Sequence, residues 1–241
     1  MPPTPACVYN ALRHIDDCTS TPPHLDKLGA VLVEHGATSL VITRLHKHFE
    51  LADGERVVLR LHHAAQKLVA TVEAEAVSPD AVACSWQVRA DGGLEPVAFI
   101  DGSPSLREES AAFVGANGAT LRGAVTSVLN ACKIGALCGL SLDLSRALGV
   151  PAGAVLLEAT YDGRVQESSV VSAGSCSGEQ HIVTHWAAKE MGGGIATLGK
   201  CADQMLPVGL ERPTQEVTPP PPSHPKTGAT ATAAQTVGTA T

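Results

Sequence analysis

Apolar and polar positions alternate along this chain in two different rhythms. HLDKLGAVLVEHG (24–36) sets Leu25, Leu28, Val31 and Leu32 at helical intervals and ends on Gly36, which predicts a helix. TSLVITRLHKHFEL (38–51) follows. Val41, Leu45 and Phe49 would also fit a helix, but the β-branched run Val41-Ile42-Thr43 is costly in side-chain entropy there and favourable on a pleated surface, so 41–50 reads as a strand. ERVVLRLHH (55–63) and KLVATVEAEAV (67–77) alternate or nearly so, and Asp53-Gly54 turns the chain into the first of them. AVACSWQVRADGGLEPVAFID (81–101) reads as a hairpin around Asp91-Gly92-Gly93, with Trp86 packing on the sheet, and GAVLLEATYDGRVQESSVVSAG (153–174) as a second around Asp162-Gly163. SLREESAAFV (105–114) suits a short helix. Two stretches stay open between helix and strand: 115–140 and EQHIVTHWAAKEM (179–191).

Strands joined by tight turns, with helices interspersed, indicate an α+β domain on a largely antiparallel sheet. A strict β-α-β rhythm is missing, which disfavours a doubly wound parallel sheet. The domain is expected over 25–212, with a loose segment at 1–24 where two Pro pairs flank a short polar stretch. Residues 213–241, PTQEVTPPPPSHPKTGATATAAQTVGTAT, are Pro, Thr, Ala and Gly with almost no bulky apolar residue, and are expected to be a disordered tail. No internal repeat stands out. GGG at 192–194 reads as a flexible turn.

Composition narrows the function classes. The chain is 44% hydrophobic but only 3% aromatic, so the core has to be aliphatic. A net charge of -7 with no run of Lys or Arg offers no basic face for phosphates, which argues against nucleic acid. No stretch of about 18 apolar residues is present to span a bilayer, and the first residues show no basic-then-apolar leader. The 7 cysteines are odd in number, scattered and without a C-x-x-C pair, which fits reduced thiols and a cytoplasmic protein.

The main chemical candidate is RLHKHFE (44–50). On a strand, His46 and His48 stand about 6.6 Å apart on one face, a spacing from which neutral imidazoles can converge on one metal ion. Glu50, His62 or His63 could complete the set, while Arg44 on the same face would oppose a cation. The plainer reading makes this the wet face of a half-buried strand, with Leu45 and Phe49 in the core and both histidines pointing away from it. GSCSG (174–178) has the outline of a nucleophile elbow around Cys176, but little chain remains downstream for the acid and histidine that would complete it. His181 and His185 lack the glutamate of an H-E-x-x-H zinc motif and read as structural or surface residues. GANGATLRG (115–123) has no G-K-[Ser/Thr] and no G-x-G-x-x-G, so it is not a phosphate loop.

Leu45, His46, His48, Phe49, Gly54 and Glu55, followed by Trp86, Gly93 and Pro96, give a pattern that resembles a group of uncharacterised fungal proteins. The resemblance covers about a quarter of the chain and implies no activity. The sequence thus leads to a domain that binds a protein or small ligand without catalysis and without a cofactor. The alternatives are a metal-dependent enzyme built on His46 and His48, or a thiol hydrolase built on Cys176.

Overall fold

The computed structural model describes residues 3–18, 20–102, 104–161, 164–176, 181–191 and 194–204. The chain runs through α1 (Pro5–Asn10), α2 (Leu25–Glu34), β1 (Leu40–Arg44), β2 (Glu55–His62), β3 (Lys67–Ala74), β4 (Val82–Val88) and β5 (Leu94–Ile100). It continues with α3 (Pro104–Val114), α4 (Ala119–Cys132), β6 (Cys138–Leu142), α5 (Leu144–Leu148), β7 (Ala154–Tyr161), β8 (Val165–Ser172), β9 (His181–Met191) and β10 (Gly194–Gln204). The ten strands close into a barrel in the order β1-β6-β4-β5-β2-β3-β8-β7-β10-β9. Pairing is antiparallel except for β2 with β5 and β7 with β10. The α+β expectation with a largely antiparallel sheet therefore holds. The ambiguous stretches resolve as helix α4 with strand β6, and as strand β9. The turn residues 162–163, residues 177 and 178 of the GSCSG segment and the tail 213–241 lie outside the described residues.

An internal twofold relation, which the sequence did not reveal, organises the barrel. Across β1 and β6, Ile42 lies opposite Leu140. Trp186 of β9 lies opposite Ile42, and Trp86 of β4 lies opposite Leu140. Exchanging the two halves reproduces these pairs. It also reproduces the antiparallel contact of β3 with β8, centred on Val69 opposite Glu167, and the two parallel pairs. Each half is a helix, a strand and two hairpins: α2 with β1 to β5, then α4 with β6 to β10. The register equates Thr43 with Ser141, Leu59 with Glu158, Leu68 with Gln166 and Ser85 with His185. Few of these pairs are alike, so no repeat shows in the letters.

The main core lies where the helices meet the sheet. Leu28 and Leu32 of α2, Val125 and Leu129 of α4, Ile42, Leu140 and both tryptophans form one buried cluster. Gly139 is required there, because a Cβ at that position would collide with the carbonyl oxygen of Trp86 across β4. A second cluster joins Val8, Tyr9 and Leu12 of the N-terminal segment to Leu45, Val57 and Val97. The N-terminal segment expected to be loose thus carries α1 and packs on the barrel. Among the described residues, no helix is long and apolar enough to cross a membrane.

Candidate functional site

Side chains from all ten strands line a chamber of about 110 Å³ in the barrel. A cavity of about 150 Å³ holds a benzene ring, so this one admits a small organic group or a few waters. Much of the wall is aliphatic, with Val41, Val57, Leu59, Leu68 and Leu156 among its members. One side is polar, and it is built mainly from β7, β8, β9 and the loop that follows β1.

Strand β1 ends at Arg44, earlier than its sequence suggests. Leu45 still donates its N–H to Leu137 O (2.9 Å), but from there the backbone pairs with the N-terminal segment instead of a strand: Lys47 N donates to Arg13 O (2.8 Å) and Ile15 N to Lys47 O (2.9 Å). The strict alternation of a strand is lost. Leu45 is buried as expected, whereas His46 and His48 turn into the chamber and not onto an outer face. Their rings meet edge to face with centroids 4.9 Å apart. Arg44 is tied to backbone carbonyls, Nε donating to Val183 O (3.2 Å) and a terminal nitrogen to Ser20 O (3.1 Å), and its charge still helps to keep His46 neutral. His62 and His63 are exposed, and Glu50 is exposed and paired with Lys47, so none of these three joins the histidines.

The third member is Glu158, a buried acid on β7. Ligand atoms of His46, His48 and Glu158 all lie within 4.8 Å of one another. The carboxylate is held from both sides: Gln166 Nε2 donates to Oε2 (2.9 Å) and Thr184 Oγ1 donates to Oε1 (3.2 Å). Beyond Thr184, His185 Nδ1 lies 3.1 Å from the hydroxyl, and His185 Nε2 lies 3.1 Å from Thr43 Oγ1. Burial pushes the pKa of His46 down to about 3 and that of His185 down to about 4, so both rings are neutral at physiological pH.

Proton placement in this cluster leaves the two neighbouring imidazole nitrogens without a hydrogen between them. His46 Nδ1 faces the carbonyl of Arg44 at 3.0 Å and must donate there, which leaves Nε2 of the neutral ring as a lone pair. Gln166 Nε2 faces both Glu158 Oε2 and His48 Nε2, the latter at 3.0 Å. Reversing the amide would set its oxygen against the carboxylate, so the nitrogen stays and His48 Nε2 accepts. Neither Nε2 then carries a hydrogen, the two atoms lie 3.1 Å apart, and the single lone pair of His48 Nε2 takes the amide N–H. A cation taking the place of the amide N–H on His48 would satisfy both nitrogens, and the adjacent Glu158 carboxylate would supply the compensating charge.

Sequence reasoning found His46 and His48 and missed Glu158, Gln166 and Thr184; it set His185 aside as a structural or surface residue. One signal for Glu158 was present. AVLLEATY places a lone acid on a strand among aliphatic residues, and an inward acid on such a strand must have partners. The side chain of Cys176 is outside the described residues. Against protein-family models, curated proteins and solved structures, the chain finds no match.

Proposed function

We propose that this protein is a metal-dependent enzyme in which His46, His48 and Glu158 hold one divalent cation at the polar side of the chamber. The observation that carries the reading is the approach of two imidazole Nε2 atoms to 3.1 Å beside a buried carboxylate, all three ligand atoms within 4.8 Å of one another. Two histidines and one carboxylate form a ligand set used by catalytic zinc, at about 2.0–2.2 Å per ligand, and by non-haem iron. Tetrahedral ligation at those lengths separates donor atoms by ~3.3 Å, and the 3.1 Å between the two Nε2 atoms needs only a small opening to reach it. The supporting groups follow the pattern of ligating residues that are themselves hydrogen-bonded: Arg44 O on His46, and Gln166 with Thr184 on Glu158.

Three protein ligands leave a position for water, and a bound cation lowers the pKa of that water toward neutrality. The reaction class is metal-assisted hydrolysis of a small substrate, in the cytoplasm. The free thiols of Cys7, Cys18, Cys84, Cys132 and Cys138 support that compartment. His185 donates its Nδ1–H to Thr184 Oγ1, 3.1 Å away, and so orients the hydroxyl that holds Glu158.

Elemental analysis of protein purified without chelators tests the proposal, together with titration of the stripped protein with zinc and cobalt. One equivalent of bound metal, lost in His46→Ala and His48→Ala, is the expected result. Absence of any metal, with no saturable zinc binding, would sink it. In that case the three side chains form a metal-free polar cluster within the chamber.

A further inference from the structure

Among the described residues, no strand flanks the loop that carries His46 and His48 over residues 45–51. What holds it is the N-terminal segment, residues 4–18, which runs across it like a strap. Tyr9 Oη accepts the backbone N–H of His48 (3.2 Å). Asn10 bonds Leu51 reciprocally, its Nδ2 donating to Leu51 O and its Oδ1 accepting from Leu51 N, both at 2.8 Å. Lys47 Nζ donates to Asn10 O (2.6 Å), and a nitrogen of the His14 ring lies 3.0 Å from His48 O. Around these bonds, the Tyr9 ring packs on Phe49 with centroids 5.7 Å apart. Tyr9 also reaches the chamber wall.

Polar contacts therefore concentrate on the stretch from Lys47 to Leu51 that brackets His48. A strap that served only to cover apolar surface would need Ala6, Val8 and Leu12, which are buried, but not a paired amide or a buried hydroxyl aimed at the His48 backbone. Ligand atoms must be held within about half an ångström of the productive geometry for tight binding. An irregular loop does not achieve that alone.

We infer that Tyr9 and Asn10 are positioning residues of the centre, acting through the backbone of the histidine loop to fix where His46 and His48 present their Nε2 atoms. The N-terminal segment is thus part of the site and not an appendage to the barrel. This rests on the metal-centre reading for its functional meaning, although the positioning itself is measurable without metal.

The experiment compares full-length Tyr9→Phe, Asn10→Leu and Val8→Ala with the natural chain. Tyr9→Phe keeps the ring and deletes the acceptor of His48 N–H. Asn10→Leu removes the bonds to Leu51 at similar volume. Val8→Ala destabilises the same helix without touching a polar contact. Zinc affinity is measured by calorimetry, and backbone amide exchange is read at Lys47, His48 and Leu51. Tyr9→Phe and Asn10→Leu should weaken zinc about tenfold or more, the usual effect of removing a supporting contact. Exchange should speed up at His48 in the first and at Leu51 in the second. Val8→Ala should lower the melting temperature while leaving zinc affinity within twofold. The inference is overturned if zinc affinity and exchange, at His48 in Tyr9→Phe and at Leu51 in Asn10→Leu, stay unchanged, or if Val8→Ala weakens zinc as much as they do. If the natural chain binds no zinc, the metal reading fails by itself, and the exchange rates alone decide the role of the strap.

Discussion

Glu158→Gln separates the chemistry of the cluster from its architecture. The amide has the shape of the carboxylate, so packing is unchanged. Its oxygen can accept from Gln166 Nε2 in place of Oε2, and its NH2 can donate to Thr184 Oγ1. Thr184 then donates to His185 Nδ1, and His185 Nε2 donates to Thr43 Oγ1, so the chain of contacts reverses direction without losing a bond. Each of two charge-assisted hydrogen bonds becomes neutral, a loss of about 1 kcal/mol apiece. Relief from burying a carboxylate offsets that loss, because the desolvation of a charge costs several kcal/mol. The metal-free variant should therefore match the natural chain within about 1 kcal/mol. Metal binding should not survive, since the only anionic ligand is gone. Zinc at one hundred times its dissociation constant stabilises the natural protein by about 2.7 kcal/mol, a shift of about 5–10 °C for a domain of this size. Differential scanning calorimetry with and without zinc should show that shift in the natural chain and none in Glu158→Gln. A full zinc shift in the variant would refute Glu158 as a ligand. A metal-free variant that is several kcal/mol less stable would refute the proton assignment.

Three further outcomes follow from individual contacts. Leu45→Ala should cost about 2–5 kcal/mol in urea unfolding, since Leu45 is buried at the base of the histidine loop; a loss under 1 kcal/mol would mean the loop packs elsewhere. Glu73 is hydrogen-bonded by Arg60, Thr71 and Ser78, and its pKa is held down to about 2 from 4.5, chiefly by Arg60. Its folded pKa is depressed, so its stabilisation is present above about pH 4.5, is lost as pH falls toward 2, and amounts to about 1–2 kcal/mol after screening; Glu73→Gln should flatten the stability profile across that window. Burial raises the Cys84 thiol pKa and pushes that of Cys138 up to about 12, whereas Cys7 is exposed. A thiol reagent at pH 8 should label Cys7 quickly and those two only as fast as the protein unfolds.

Hairpins and long helices were legible because each is specified within its own sequence. Asp91-Gly92-Gly93 between alternating runs predicts β4 and β5, and Leu25, Leu28, Val31 and Leu32 predict α2, all of them buried as expected. The end of β1 was not legible. Val41 to Phe49 alternates well enough to continue, and what stops it is the backbone of Arg13 and Ile15, more than thirty residues earlier. The same distance hid the strap: PACVYN is too short and too plain to declare a helix, and its significance comes from partners at 47–51. His46 and His48 were legible as candidates but assigned to the wrong side, because face assignment by alternation fails once the strand has ended. Glu158 could be seen in the letters only as an anomaly among aliphatic residues. Closure of the barrel, which brings residue 158 to residue 46, is a property of the whole strand order.

The twofold relation allows a last prediction about why only one side of the chamber carries chemistry. Leu59 stands where Glu158 stands in the other half, with Leu68 in place of Gln166 and Ser85 in place of His185. Introducing the acid there, as Leu59→Glu, puts a carboxylate against aliphatic neighbours with no amide to donate to it. Burial without partners raises a carboxyl pKa by up to about 3–5 units in full burial. Leu59 is half-buried, so about half of that, or ~2–3 kcal/mol, is the expected destabilisation at pH 7. A raised folded-state pKa gives the opposite pH signature to Glu73: the penalty is small below the unfolded pKa of about 4.3, grows as pH rises through it, and levels off above the folded value. Urea unfolding of Leu59→Glu at pH 4.5 and pH 7, each referenced to the natural chain, measures the difference directly. A variant equally stable at both values would mean that donors already exist on the apolar side. Glu158 would then owe its place to general polarity of the chamber and not to Gln166, Thr184 and the two histidines around it.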